Sequence, residues 1–390
     1  MPAHTIFYEP KKLTIEFGEN DGGYYVNTTA ESTPTTTISQ IPSYLTDKLI
    51  VIDSIHSGTG RTQSKDIYND LIAPLFSPLS ISHEIYRTTS PTSIADFARD
   101  LYPDSTNTTI LFISGDSSIN EFINGLLSDS QGSSITVFPI PGGTGNSLAL
   151  SLDITSPLDA IHRLLHPTTS TLPLYLYDVQ FPAGSQYLLH DEPDGAVAQL
   201  GLKVIVVLSW AFHASLVADS DTPELRKHGL ERFQIAALQN LNRVQKYEGE
   251  TTINGSDEEI AGPFAYWLVV SSRKFEPTFE ISPKGDILKD ELYLVAFNTK
   301  EKLDDGAYIM DIMKQMYDRG SHVDNSDVIY KKLGPGDDIV LSVRNAAPLI
   351  QRRFCVDGRI VALPETSDEQ QVRIRVTDNT QHSWRLYIIH

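Results

Sequence analysis

Thr109-Ile110-Leu111-Phe112-Ile113-Ser114-Gly115-Asp116-Ser117-Ser118-Ile119-Asn120-Glu121-Phe122-Ile123-Asn124-Gly125-Leu126 is the stretch whose reading decides the fold. Thr109 to Ile113 is a short, continuous apolar run, the pattern of a strand buried on both faces. A polar loop with a glycine follows, and Ile119 to Leu127 then has helical spacing. Working outward, the same strand–loop–helix unit recurs. Leu49 to Ile52 precedes Asp53-Ser54-Ile55-His56-Ser57-Gly58-Thr59-Gly60-Arg61 and a helix over Lys65 to Phe76. Ser82 to Tyr86 precedes a helix over Ser93 to Leu101, with Ser93 as candidate cap. Ser134 to Ile140 precedes Pro141-Gly142-Gly143-Thr144-Gly145-Asn146-Ser147 and helices over Ser147 to Ser151 and Pro157 to Leu165. Such alternation predicts a parallel α/β sheet covered by helices.

After Pro167 the pattern changes. Thr171 to Val179, Leu202 to Leu208, Tyr266 to Val270, Phe279 to Ser282, Glu291 to Phe297, Asp338 to Val343, Gln351 to Val356 and Gln371 to Val376 read as strands joined by turn residues. Helices are expected only over Pro223 to Leu241, with a break near Gly229, and over Gly306 to Tyr317. This describes a largely antiparallel second domain. Before Lys48, two β-type stretches around Gly18 and Gly22-Gly23 suggest a hairpin, and the Ser/Thr-rich run from Thr28 to Ser39 reads as a linker. The expected division is therefore a leader at 1–46, an α/β domain at 47–167 and a β-rich domain at 168–390.

Composition narrows the function classes. The 390 residues carry a formal net charge of −19. Phosphate repels so acidic a chain, so no nucleic-acid partner is expected, nor a polybasic grip on a membrane. The single cysteine, Cys355, excludes an internal disulfide and favours a reducing, cytoplasmic setting. No segment reaches the roughly 18 apolar residues that span a bilayer. No apolar run follows Lys11-Lys12, so no signal peptide is read there.

Three polar or glycine-containing loops each follow a predicted strand. In a parallel sheet such loops meet at the carboxyl edge, where ligands bind. Glycines let backbone N–H groups approach phosphate oxygens, and helix N-termini favour negative charge. One such loop alone would be a tight turn; three in succession point to a nucleotide. The first loop matches neither G-x-x-x-x-G-K-[ST] nor G-x-G-x-x-G, and there is no G-x-S-x-G, H-E-x-x-H or cysteine cluster.

The three loops resemble those of the diacylglycerol kinase and sphingosine kinase family. Ser57-Gly58-Thr59-Gly60 matches the second half of the family's first loop. Gly115-Asp116, Glu121 and Asn124-Gly125-Leu126 match its second, and Gly143-Thr144-Gly145-Asn146 its third. Ser209-Trp210-Ala211-Phe212 and Arg226 to Phe233 are similar to a sphingosine kinase segment with two arginines six apart. Val356-Asp357-Gly358 resembles a late Asp-Gly-Glu. The resemblance implies an active site in a cleft between an α/β domain and a β-sandwich-like domain, with ATP and Mg²⁺ used to phosphorylate a lipid hydroxyl. It implies transient contact with a membrane surface.

Residue by residue, the resemblance makes Asp116 the base that accepts the hydroxyl proton; the alternative is a helix cap. It places Asp53, Ser57, Gly58, Gly60, Gly115, Ser117, Ser118, Glu121, Gly143, Thr144, Gly145, Asn146, Arg226 and Arg232 around the nucleotide; for the arginines, the alternative is a solvated helix face. Asp219 or Asp221 would meet the substrate, an amine-bearing sphingoid base before diacylglycerol; either could instead cap the next helix. Asp357 would help hold Mg²⁺; the alternative is an Asp-Gly turn. The chain departs from the pattern at Asp53-Ser54, Ser114, Ser117-Ser118 and Arg359. Those departures keep a catalytically impaired regulatory protein open, and a NAD kinase-like small-molecule kinase is the other enzyme alternative.

Overall fold

The computed structural model describes residues 3–29, 36–55, 66–101, 107–126, 134–197, 201–255, 259–300, 305–344, 348–366, 368–377 and 384–390. It forms two units, Met1–Leu174 with His382–His390, and Tyr175–Gln381.

In the first unit, strands β1 (His4–Tyr8), β2 (Leu13–Asn20), β3 (Gly23–Thr29) and β4 (Thr36–Ile38) make a sheet of order β3-β2-β1-β4. The expected hairpin is β2–β3, closed at the pair Asn20 and Gly23. The leader is more than a hairpin and a linker. Part of the Ser/Thr-rich run is β4, parallel to β1, and Ile6, Ile15, Phe17 and Ile38 are almost wholly buried.

Next come β5 (Lys48–Asp53), a wide π-type turn (Ile67–Ile72), helix α1 (Ala73–Leu79), β6 (Glu84–Arg87), α2 (Ser93–Asp100), β7 (Thr108–Ser114), α3 (Asp116–Gly125), β8 (Ser134–Pro141), α4 (Ser147–Ser151), α5 (Pro157–Leu165) and β9 (Thr171–Pro173). β6, β5, β7 and β8 pair in parallel in that order. Ile50 to Ile52 and Ile110 to Ile113 are at most 1 % exposed, so the continuous apolar runs do belong to doubly covered strands. The chain leaves β5 for one neighbour and later returns to the other side, so a topological switch point lies between β5 and β7. One strand was not expected here: Arg385–Ile389, assigned from sequence to the β-rich domain, pairs parallel to β8 and antiparallel to β9.

The second unit is built on two antiparallel sheets. One runs in the order Leu202–Val204, Tyr177–Gln180, Gln370–Val376, Asp338–Val343, Gly249–Ile253, Ile260–Ala261. The other runs Glu192–Val197, Gln186–Leu189, Arg359–Ala362, Arg353–Val356, Val207–Ala211, Phe264–Val270, Leu292–Asn298, Ile329–Leu333. A shared core that includes Val179, Trp210, Trp267, Leu341 and Ile374 joins them. Trp267 Nε1 donates to Thr251 Oγ1 at 2.9 Å, which satisfies the indole inside that core.

Helices of this unit are α6 (Phe212–Ser220), α7 (Pro223–Arg226), α8 (Glu231–Leu241), α9 (Asp305–Tyr317) and α10 (Leu349–Arg352). The helix expected over Pro223 to Leu241 breaks at Gly229, where φ is 57°. Helix α6 was missed because its apolar residues surround it, leaving no stripe to read. Among the described residues no helix is long and apolar enough to cross a membrane.

His322, after α9, is fully buried, and its Nε2 is 3.1 Å from the Ile281 carbonyl oxygen. Burial pushes its pKa down to about 4, and likewise that of His213 in α6. An unfolded histidine titrates near 6.5. Between these values the unfolded chain binds protons that the native chain does not, so stability falls as pH drops from about 6.5 to about 4. Urea unfolding at pH 7 and pH 5 should show this loss, and His322→Gln, which retains an N–H donor, should make it shallower.

Candidate active site

Paired residues at the ends of the parallel strands, Asp53 with Ile113 and Ser114 with Pro141, bring the three strand-to-helix connections to one sheet edge. Ser57, Gly58 and Gly60 of the first connection lie outside the described residues. The second and third are packed backbone to backbone. A Cβ on Gly115 would stand 2.6 Å from the Gly145 carbonyl oxygen, and one on Gly143 would stand 2.9 Å from the Gly115 Cα. Glycine is required at both positions for this approach, whereas a Cβ on Gly145 would meet nothing within 4 Å. Asn146 Nδ2 donates to the Gly143 carbonyl at 2.6 Å, closing the third connection on itself.

Asp116 ties the two connections together. The N–H of Ser147 donates to its Oδ2 at 2.7 Å and the N–H of Leu148 to its Oδ1 at 3.0 Å. Its own N–H points to the Gly145 carbonyl at 3.3 Å. The carboxylate therefore caps α4, the helix after the third loop, and not α3, where Asp116 is the first helical residue. The Asp116 side chain is only partly buried. Ser117 and Ser118 continue the first turn of α3 in helical backbone, so neither position demands glycine. Thr144 is partly buried in the third loop.

Other expected site residues have different surroundings. Glu121 Oε1 accepts the N–H of Ala95 at 3.0 Å, so it caps α2 across the helix pair. Ser93, the expected cap, instead accepts from Thr89 and Ser90. Gly125 permits the pairing of α2 and α3, since a Cβ there would lie 2.7 Å from the Ala95 carbonyl oxygen. Asp53 is 1 % exposed at the end of β5, with its Oδ2 3.6 Å from Arg87 Nε on the paired strand.

In the second unit, Arg226 and Arg232 converge on one carboxylate. Arg226 donates from Nε and Nη2 to Asp221 at 2.8 and 3.0 Å, and Arg232 from Nη1 at 3.0 Å. Burial pushes the Asp221 carboxyl upward, but the two arginines outweigh it and hold it below the usual carboxylate range. Asp219 accepts from Asn240, Arg243 and Arg353, at 2.9, 2.8 and 2.7 Å. Arg353, which is 3 % exposed along its side chain, also grips Asp191 at the Gln186–Val197 hairpin. Sequence reasoning missed Asp191, Arg243 and Arg353; no local pattern signals a charge cluster assembled from four separate segments.

Asp357 does not fit the magnesium role. It is 2 % exposed, and its two oxygens accept the N–H groups of Ile205, Val206 and Val207, each at 2.8 Å. Asp357 and Gly358, both at positive φ (47° and 90°), form the two-residue turn between Arg353–Val356 and Arg359–Ala362, the primed geometry that suits a hairpin. The turn alternative therefore describes Asp357. Arg359, in place of the family's glutamate, lies over the Tyr187 ring at 4.0 Å.

Comparison with known proteins agrees with the loops. Residues 48–175 match the diacylglycerol kinase catalytic domain. The sphingoid long-chain bases kinase 1 of Arabidopsis thaliana is 32 % identical over 117 residues, 29 % of this chain and 15 % of that protein. Sphingosine kinase B of Dictyostelium discoideum is 32 % identical over 123 residues, 30 % and 16 % of the two chains. The chain thus spans a small part of the length of these relatives. A provisionally assigned diacylglycerol kinase of Bacillus anthracis shares the fold, with a TM-score of 0.55 at 14 % identity over 87 % of this chain and 94 % of that one. Residues 48–175 are thus similar to the diacylglycerol kinase catalytic domain, and the matched relatives are kinases of sphingoid bases.

Replacing Asp357 tests its assignment. Asp357→Asn sets an amide N–H₂ among three backbone donors, and each buried donor left unsatisfied costs about 1–3 kcal/mol. A drop in unfolding free energy of that order, unaltered by adding magnesium to either protein, is the expected result in urea titrations.

Proposed function

We propose that this chain is an ATP-dependent lipid kinase in which Asp116 accepts the proton of the attacking hydroxyl. The observation that carries the reading is the partly buried Asp116 carboxylate at the sheet edge, oriented by two backbone N–H groups beside the glycine loops. Phosphoryl transfer asks the protein mainly for positioning and electrostatic stabilisation, with a carboxylate to orient and deprotonate the nucleophile. The open side of the exposed Gly145 suits a phosphate chain. The matched catalytic domain supports the same reading.

The names of two relatives favour a sphingoid base as acceptor. The charges favour a neutral lipid alcohol instead. Asp219 and Asp221, the carboxylates proposed to meet an ammonium, are each bound by two arginines, so a further cation would meet net positive charge. A purely regulatory role loses one of its grounds, because Ser117 sits in ordinary helical backbone. The reading is tested with radiolabelled ATP against diacylglycerol, a sphingoid base and NAD; no transfer to either lipid would sink it.

Asp116→Asn should lower turnover about 10²–10⁴-fold. Asparagine can still accept one of the two N–H bonds but opposes the other with its own N–H, so a stability loss of about 1–3 kcal/mol should accompany it. Turnover near wild type together with that stability loss would leave Asp116 as a structural clamp only.

A further inference from the structure

We infer that His213 determines lipid specificity: its Nε2–H, aimed by Ser209, donates to an acyl carbonyl oxygen of the bound lipid. This rests on the lipid kinase reading and adds to it the residue that selects the acceptor.

The argument begins with the backbone. Strand Val207–Ala211 passes into α6 with no loop, and the turn is made at Ala211, φ 63° and ψ −138°. A side chain in such a conformation costs about 1–3 kcal/mol and persists where the surroundings demand it. Ala211 and Phe212 are fully buried, and His213 follows in the first turn of α6.

Ser209 is also fully buried, and its Oγ lies 2.7 Å from His213 Nδ1. That contact fixes the tautomer. The hydroxyl has one proton and, among the described residues, one partner, so a bond from Nδ1–H to Oγ would leave a buried O–H without an acceptor. The favoured arrangement is Oγ–H to Nδ1, which leaves the proton of the imidazole on Nε2. Burial holds the ring neutral, with a pKa of about 4. Nε2 makes no hydrogen bond among the described residues, although the side chain is only partly buried.

The surroundings are aromatic. The His213 ring lies 4.9 Å from Phe275 and 6.1 Å from Tyr266. Tyr266 stacks on Phe297 at 5.2 Å, and Phe275 continues through Phe279 to Tyr317. One N–H donor in such a surface suits an apolar molecule carrying an oxygen acceptor. An ester or amide carbonyl of an acylated lipid alcohol provides one, and an ammonium does not. The arginines on Asp219 and Asp221 disfavour an ammonium independently.

The test compares diacylglycerol with the dialkyl ether of the same chain lengths, which keeps the hydroxyl and lacks the carbonyls. Wild type should use the ester with roughly tenfold or higher kcat/KM, the value of one satisfied hydrogen bond against an unpaired one. In His213→Phe, which retains the aromatic shape, the ratio should fall towards one, and Ser209→Ala should lie between. Equal ester-to-ether ratios in wild type and His213→Phe would overturn the proposal. Histidine ¹⁵N NMR in detergent micelles reads the same contact without turnover. A proton on Nε2 whose signal moves with the ester and not with the ether is expected. A proton on Nδ1, or the same movement with both lipids, would overturn it. If no lipid is phosphorylated, the kinase reading fails, and the NMR comparison still decides His213.

Discussion

Asp116 places one carboxylate on two backbone N–H groups of another loop, and the sheet edge depends on that bridge. Strands β7 and β8 deliver their following loops side by side, but parallel pairing alone would not hold irregular backbone together beyond the last ladder bond. The Gly115 and Gly143 backbones can touch because neither carries a Cβ, and the carboxylate locks the contact by satisfying donors at the start of α4 that would otherwise need water. The residue proposed as the base is thus also the residue that fixes the loop beside it.

The same logic runs through this acidic chain. Carboxylates that the sequence offers as ligand groups serve as acceptors for the protein's own backbone or arginines. Glu121 holds the first turn of α2, Asp357 collects three N–H groups at a strand corner, and Asp219 and Asp221 bind arginines. Hydrogen bonds to an ionised acceptor are stronger than neutral ones, and a buried carboxylate persists only with such partners.

The alternation of strands and helices and the placing of three loops at one edge were legible, because doubly buried strands write continuous apolar runs and the turns after them write glycine. The mostly antiparallel second unit was legible for similar reasons. What was not legible involves partners distant in sequence. The strand Arg385–Ile389 joins a sheet whose other members precede residue 175, and nothing near it in sequence says so. Glu121 as the cap of α2 and the cluster of Asp191, Asp219, Arg243 and Arg353 likewise bring together segments far apart in the chain. Where a local rule was available, as with the Asp357-Gly358 turn or the break at Gly229, the bland alternative described the structure.

The charge balance around α6 to α8 bears on the acceptor more directly than resemblance does. A carboxylate recognises an ammonium when it carries unneutralised negative charge. Asp221 faces two guanidinium groups, and Asp219 faces two more. Even with Asp191 counted, three carboxylates meet four arginines there. Because arginine stays charged at any physiological pH, this excess does not titrate away. A cationic head group would have to displace an arginine to reach either carboxylate, and at Asp221 it would break two charge-assisted hydrogen bonds from Arg226 to make one. A neutral head group avoids that exchange altogether. The uncharged N–H proposed on His213 would offer such a molecule a polar contact of the complementary kind.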